Sequence, residues 1–346
     1  MVLRRSAPTL SPSLARRGVL ILPGLLACLV VAAVATGIGA LLPIVGSAVP
    51  AIVIGVLIAL VRRPPRRFDP GLRFSGKFVL QCAVVLLGAQ LSIPVVLEVG
   101  AGALPVMLSS LAVCLLGAWL IGRAMKVDPG LRTLIGVGTG ICGASAIAAV
   151  APVIRAKSAQ ISYALSTIFL FNILAVVIFP MIGHALGMSP HAFGLFAGTA
   201  VNDTSSVVAA ASVYGVAALG YAVVVKLVRT LMIIPISVGL AALQARRTGE
   251  AERLSARRIV TLVPWFLVGF LVMTALRSVG VVPPPAAAVL THVSVFLVAV
   301  ALAGIGMSTD VAAIRRAGWR PLALGAILWV LVTATTLATM LLTGAL

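Results

Sequence analysis

Asn202-Asp203-Thr204-Ser205-Ser206 sets one carboxylate among four short polar side chains, inside a stretch otherwise built of Ala, Val and Gly. Asp203 lies about 12 residues into its apolar segment, or ~18 Å at 1.5 Å per residue, near the middle of a ~30 Å hydrocarbon layer. A carboxylate at that depth costs several kcal/mol unless it is paired, hydrated or protonated. Asp203 is therefore the candidate coupling group for a proton or a cation. Lys226 and Arg229 follow at similar depth in the next segment, three positions apart and so on one helical face. Two arrangements are open: Asp203 neutralises one of these cations, or the cations face an anionic ligand. Two bases against one acid favour an anionic cargo. A polar knot that merely glues helices together is the plain alternative.

Gly138-Thr139-Gly140-Ile141-Cys142-Gly143 matches the spacing G-x-G-x-x-G. The dinucleotide reading of that spacing needs a preceding strand and an acid about 20 residues on; neither is present, and the match is set aside. Small residues here serve close helix packing, or they break a helix and free backbone amides for an anion. Residues 138–154, GTGICGASAIAAVAPVI, resemble 198–214, GTAVNDTSSVVAAASVY, at an offset of about 60. Interrupted helices in corresponding places mark a transporter's binding site. The candidate substrate-binding residues are accordingly Gly138, Thr139, Gly140, Cys142, Gly143 and Ser145 in the first segment. Gly198, Thr199, Asn202, Thr204, Ser205 and Ser206 are their counterparts in the second, with Lys226 and Arg229 beyond it. No catalytic residue, metal site or cofactor is expected, because no H-E-x-x-H, G-x-S-x-G or carboxylate pair occurs.

The elements that must carry these residues follow from composition. Of 346 residues 61% are hydrophobic and 10% charged, with a mean hydropathy of +1.21; a soluble domain carries about 25% charged residues. Apolar length predicts an all-α integral membrane protein of about eleven spans. They are 19–42, 47–61, 77–97, 102–122, 133–154, 160–186, 191–214, 217–243, 259–279, 285–307 and 318–343. Breaks are expected within 133–154 and 191–214. Residues 1–18 form a basic cytoplasmic arm and 19–346 a single transmembrane domain. The longest loops are Arg62–Lys77 and Gln244–Arg258.

Lys and Arg total 26 against 7 acids, a net charge of +19. They cluster between apolar runs, as at Arg62, Arg63, Arg66, Arg67, Arg73 and Lys77, which is the positive-inside pattern and not a nucleic-acid surface. With the N-terminus inside, alternation puts every large cluster on the cytoplasmic face and leaves Arg155, Lys157 and Arg277 near the outer one. Cys28, Cys82, Cys114 and Cys142 lack CxxC spacing and read as buried small hydrophobes. His292 is expected inside a span as a satisfied core histidine, Glu98 and Asp310 at span ends, and Trp265, Trp319 and Trp329 include interface anchors. Asn172, Ser166 and Thr167 are weaker candidates for lining the same cavity. Residues 86–105 also resemble 302–321 at an offset of about 216, in opposite directions through the membrane on this topology: an inverted repeat. The 60-residue pair, separated by one span, is expected to run parallel, and the two offsets do not reconcile.

LLGAQLSI (86–93), GTGICGASAIAAVAPVI (138–154), AGTAVNDTSSVVAAASVYG (197–215) and the following Lys226 resemble the YeiH-type family of bacterial inner-membrane proteins, named for sulfate export. The likeness runs from about Val19 to the C-terminus. It implies a fold distantly like cation:proton antiporters and bile-acid symporters, with inverted repeats and discontinuous helices at mid-membrane. The reading is a secondary transporter in the bacterial inner membrane, exporting a small inorganic or sulfonated anion by alternating access, with a proton or Na⁺ as coupling ion. The partners expected are this anionic solute, the lipid bilayer and a homo-oligomeric copy, with no nucleic acid. A cation:proton antiporter using Asp203 is the rival; a non-transporting receptor or a membrane enzyme stands further off.

Overall fold

The computed structural model describes residues 14–41, 47–62, 64–248, 264–308 and 319–346. Most of the basic N-terminal arm, most of the loop after Gln244, and Asp310 lie outside them. Every regular element among the described residues is helical. Seven helices among these residues are long and apolar enough to cross a membrane. In chain order the elements are α1 (Leu14–Leu41), α2 (Ala48–Val61), α3 (Arg66–Gln90) and α4 (Ile93–Ala124). Next come α5 (Pro129–Val137), α6 (Ala144–Val153), α7 (Ser158–Ala185), α8 (Pro190–Ala200) and α9 (Thr204–Tyr214). The last are α10 (Val216–Leu231), α11 (Ile233–Thr248), α12 (Trp265–Ser278), α13 (Pro284–Met307) and α14 (Trp319–Leu342). Large aliphatic side chains such as Val30, Leu97 and Met181 stand on the outside, each more than 60% exposed, as a lipid-facing surface requires and an aqueous one does not tolerate in bulk.

The helices form two packed groups. In the first, α1, α2, α3, α12 and α13 approach through glycine. A methyl on Gly24 would stand 2.2 Å from the Phe68 carbonyl oxygen, and one on Gly306 would stand 2.6 Å from that of Ile52. Association in lipid depends on such close van der Waals contact because no hydrophobic force drives it. The second group holds α4 to α11 and α14, with α14 antiparallel to α4: Ser109 pairs with Thr339 at 3.0 Å, and Gly122 lies against Leu324.

The two glycine- and serine-bearing segments are not spans. Gly194 of α8 meets Ala218 and Ala222 of α10, and Gly198 meets Ala222 and Val225, so α8 and α10 run in the same direction. The chain between them therefore turns back. Tyr214, the last residue of α9, stacks on Phe193 near the start of α8 at 3.9 Å, and its hydroxyl donates to the Met188 carbonyl at 2.6 Å. At the first segment, Asp128 ahead of α5 accepts from Gln160 at the start of α7, and Lys157 N donates to Gln160 Oε1. The beginning and end of α5–α6 thus lie on one face. Both segments are re-entrant hairpins.

The expected eleven spans become, among the described residues, seven helices long enough to cross, the shorter apolar helices α2 and α12, and two hairpins whose bases lie at opposite ends of α7. The span expected at 77–97 is also redrawn. The helix begins at Arg66 and ends at Gln90, and Ile93 opens α4, so most of the supposed loop Arg62–Lys77 is helical. Arg155 and Lys157 move to the face that carries Arg123, Lys126 and Arg132. The two mistaken crossings cancel, leaving the directions of all later helices as expected from parity.

Candidate functional site

Each hairpin has an N-terminal limb, a tip and a C-terminal limb. In the first, α5 continues as one wide turn, Gly138–Cys142, and reverses at Gly143, where φ is +67° and ψ −128°. Glycine is required there, since an L side chain rarely adopts that backbone. In the second, α8 ends at Ala200, and Asp203 takes an extended backbone and caps α9. The two tips touch: a methyl built on Gly143 would stand 2.7 Å from Asp203 Cβ.

Asp203 is half-buried and surrounded by donors. Its Oδ1 accepts from the Ser205 amide at 2.6 Å and from the Ser205 hydroxyl; its Oδ2 accepts from the Ser206 hydroxyl and from Asn172 Nδ2, both at 2.9 Å. An acid at a helix N-terminus also meets the positive end of the helix dipole. Asn172 comes from the middle of α7, so a traversing helix fixes the second tip.

Lys226 and Arg229 are fully buried on α10. Lys226 Nζ donates to the Val201 carbonyl at 2.6 Å and the Ile141 carbonyl at 3.2 Å, one from each tip. Arg229 donates through Nε to the Gly140 carbonyl at 2.7 Å and through Nη2 to the Thr139 carbonyl at 3.3 Å. These carbonyls are the open C-terminal ends of α5 and α8, which carry partial negative charge and need partners away from water. The direct Asp203–Lys226 or Asp203–Arg229 pair considered from sequence is not formed: the acid holds helix N-terminal donors and the bases hold helix C-terminal acceptors.

The structure brings Thr139, Gly140, Cys142, Gly143, Asn202, Asp203, Thr204, Ser205, Ser206, Lys226 and Arg229 to this junction. Ser145 is exposed in the first turn of α6, whose start carries no capping side chain. Gly138 and Gly198 serve packing instead, the first against Ile168 and Ile147 and the second against α10. Four buried polar atoms here have no partner among the described residues: Asn172 Oδ1, Thr199 Oγ1, Asn202 Oδ1 and Arg229 Nη1. Sequence reading underweighted Asn172, a lone polar residue in a long span, and missed the Ile141 and Val201 carbonyls, which no side-chain pattern reveals. Thr167 bonds within its own helix. His292 is not a core residue: it is exposed, with Nδ1 against the Ala288 carbonyl. A separate cavity of about 380 Å³ sits at the base of the second hairpin, where Tyr214, His184 and Ser212 face Ser47, Ala48 and Val298 of α2 and α13. Among the described residues no group of three or more His, Cys, Asp or Glu could hold a metal.

Fold and site together define a multi-pass helical membrane protein with two opposed re-entrant hairpins around a buried charged junction. The family described as conserved hypothetical protein 698 matches residues 23–325, and the chain belongs to this family, the YeiH-type group whose motifs it carries. It is 41% identical over 331 residues to a UPF0324 membrane protein of Streptococcus pyogenes serotype M3, covering 93% of this chain and 97% of the relative. Similar proteins of Streptococcus pneumoniae strain R6 (43% over 326 residues, 93% and 97% covered) and Streptococcus agalactiae serotype V (40% over 317 residues, 89% and 93%) are also named UPF0324 membrane proteins.

Proposed function

We propose that this protein is a secondary transporter that moves a small oxyanion or organosulfonate outward across the bacterial inner membrane by alternating access. The observation that carries the reading is the tip-to-tip meeting of two hairpins from opposite faces, with one acid and two fully buried cations at the junction. Irregular backbone at membrane depth is tolerated only where protein buries it or it lines a cavity, and hairpin tips of this kind are where transporters hold solutes. The α9 N-terminus is occupied by its own carboxylate, whereas the α6 N-terminus beside it has none. An anion is held there by the amides of Ala144 and Ser145 and the Ser145 hydroxyl, in the field of Lys226 and Arg229. The donors around Asp203 fix its carboxylate as the cap of α9, and in this reading coupling runs through that acid.

A single pseudo-two-fold axis accounts for both sequence offsets. It exchanges α2, α3 and α4 with α12, α13 and α14, and the first hairpin plus α7 with the second hairpin plus α10. The supporting contacts come in matched pairs: α3 lies antiparallel to α13 (Ser294 Oγ to the Ala83 carbonyl, Gly76 against Ile305) and α4 antiparallel to α14. Gly143 and Asp203, 60 positions apart, would be twins at the axis, and they are in contact. Placing the base of the first hairpin in the cytoplasm gathers Arg62, Arg66, Arg67, Arg123, Lys126, Arg132, Arg155, Lys157 and Arg320 on one face and leaves Arg277 on the other, as the positive-inside rule asks. This also puts the N-terminus inside.

The test is flux of labelled sulfate and of a labelled alkylsulfonate in proteoliposomes. Wild type is expected to carry at least one of them, driven by a pH gradient, and Asp203→Asn to lose that drive. Flux of Na⁺ or K⁺ against protons with no anion movement would sink the anion reading in favour of cation:proton antiport.

A further inference from the structure

The C-terminal ends of α5 and α8 meet at the hairpin tips, with their last carbonyls directed at the same place. Two such ends repel each other and present acceptors that hydrocarbon cannot satisfy. Transporters with discontinuous helices commonly fill this position with a dissociable cation, coordinated by unwound carbonyls and half-helix C-termini. Here it is filled by the chain itself. Lys226 Nζ bridges the Ile141 carbonyl of one tip and the Val201 carbonyl of the other, at 3.2 and 2.6 Å, on a residue with no solvent exposure. One turn further along α10, Arg229 takes the next two carbonyls of the first tip, Gly140 and Thr139. Thr230 Oγ1 donates to the Lys226 carbonyl, an intrahelical bond within the same buried face.

We infer that the Lys226 ammonium is a built-in cation. It occupies the place of a coupling metal ion, ties the two hairpin tips into one unit, and makes the protein independent of Na⁺. Lys226 is on this view a positioning residue, not a ligand of the cargo. Its ammonium holds together the tips that form the site, and α10, which carries it, must move with them. The inference rests on the proposed function only in placing the cargo at these tips; the tie itself is a property of the folded chain.

The experiment uses the full-length protein in detergent, followed by thermal unfolding, and in proteoliposomes, followed by labelled sulfate flux. For wild type, replacing Na⁺ by choline is expected to leave both Tm and flux unchanged. Lys226→Ala removes the cation and leaves carbonyls unpaired, and should lower Tm by roughly 5 °C or more. Methylammonium in excess restores most of that loss because it carries N–H donors into the vacated space. Tetramethylammonium, with the same charge and no N–H, does not. Lys226→Arg keeps charge and donors and holds Tm nearer to wild type than Lys226→Ala does. A wild-type Tm or flux that rises with Na⁺, an unaltered Tm in Lys226→Ala, or equal action of the two ammonium ions would each overturn the inference. Should Lys226→Ala fail to fold, the wild-type Na⁺ titration and Lys226→Arg decide it. Methylammonium rescue without any sulfate flux would leave the tie standing and count against the transport reading alone.

Discussion

The two hairpins have matching limbs and matching sequence, GTGICGAS against GTAVNDTS, yet their tips are chemically opposite. The first tip reverses at a glycine with positive φ, has no cap on its second limb, and is held from behind by three of the four Lys226 and Arg229 hydrogen bonds. The second reverses through extended backbone, carries its own acid as a cap, and is held by Asn172 in front and Lys226 behind. One tip is a clamped backbone whose second limb starts without a capping side chain; the other carries its own carboxylate cap and has fewer ties. In the proposed reading, the uncapped N-terminus of α6 is the one offered to the anion, with Asp203 beside it.

Substitutions at the tips break or sharpen this contrast. The largest effect on flux is expected from Gly143→Val. It places a branched side chain at a strained backbone position, about 1–3 kcal/mol, and drives Cβ into Asp203, 2.7 Å away. Sulfate flux should vanish and thermal unfolding should move down, whereas unaltered flux would mean the tips do not meet in the working protein. Arg229→Ala comes next: it uncaps two carbonyls of the first tip only, and removing one partner of a buried polar set costs about 3–5 kcal/mol. Limited proteolysis or hydrogen exchange should then show the first hairpin loosened more than the second. Equal loosening would erase the distinction between clamped and lightly tied tips.

Asn172→Leu acts on the second tip. Losing a hydrogen bond to a charged group costs about 1.5–3 kcal/mol, so Tm should fall less than in Arg229→Ala, and the pH dependence of flux should shift because a direct contact of Asp203 changes. A pH profile identical to wild type would separate Asn172 from coupling. The smallest expected effect is that of Ser145→Ala, which removes one donor from an exposed position. It should weaken sulfate affinity by roughly tenfold or less, consistent with one neutral hydrogen bond of about 1 kcal/mol, and leave Tm unchanged. A drop in Tm instead would mark Ser145 as structural.

The chemistry-bearing residues were legible because a carboxylate and two cations stand out against apolar sequence, and hydrocarbon makes such residues costly. Helix positions were legible for the same reason, with apolar length fixing most ends to within a few residues. Asn172 was not, since a single amide in a 28-residue helix carries no spacing signal. Neither were the Ile141 and Val201 carbonyls, because every residue has one and only the fold decides which are left open.

By itself the sequence determined that the chain is a multi-pass membrane protein and that residues 138–154 and 198–214 are both glycine- and serine-bearing apolar segments. It could not determine their direction. A hairpin of two short apolar limbs and a single crossing have the same length and hydropathy, and two hairpins entering from opposite faces cancel in the count of crossings. Only the tertiary contacts, Gly194 against Ala218 and Tyr214 back against Phe193, turned the segments on themselves. With that turn, a pair that reads as parallel in sequence becomes antiparallel in space.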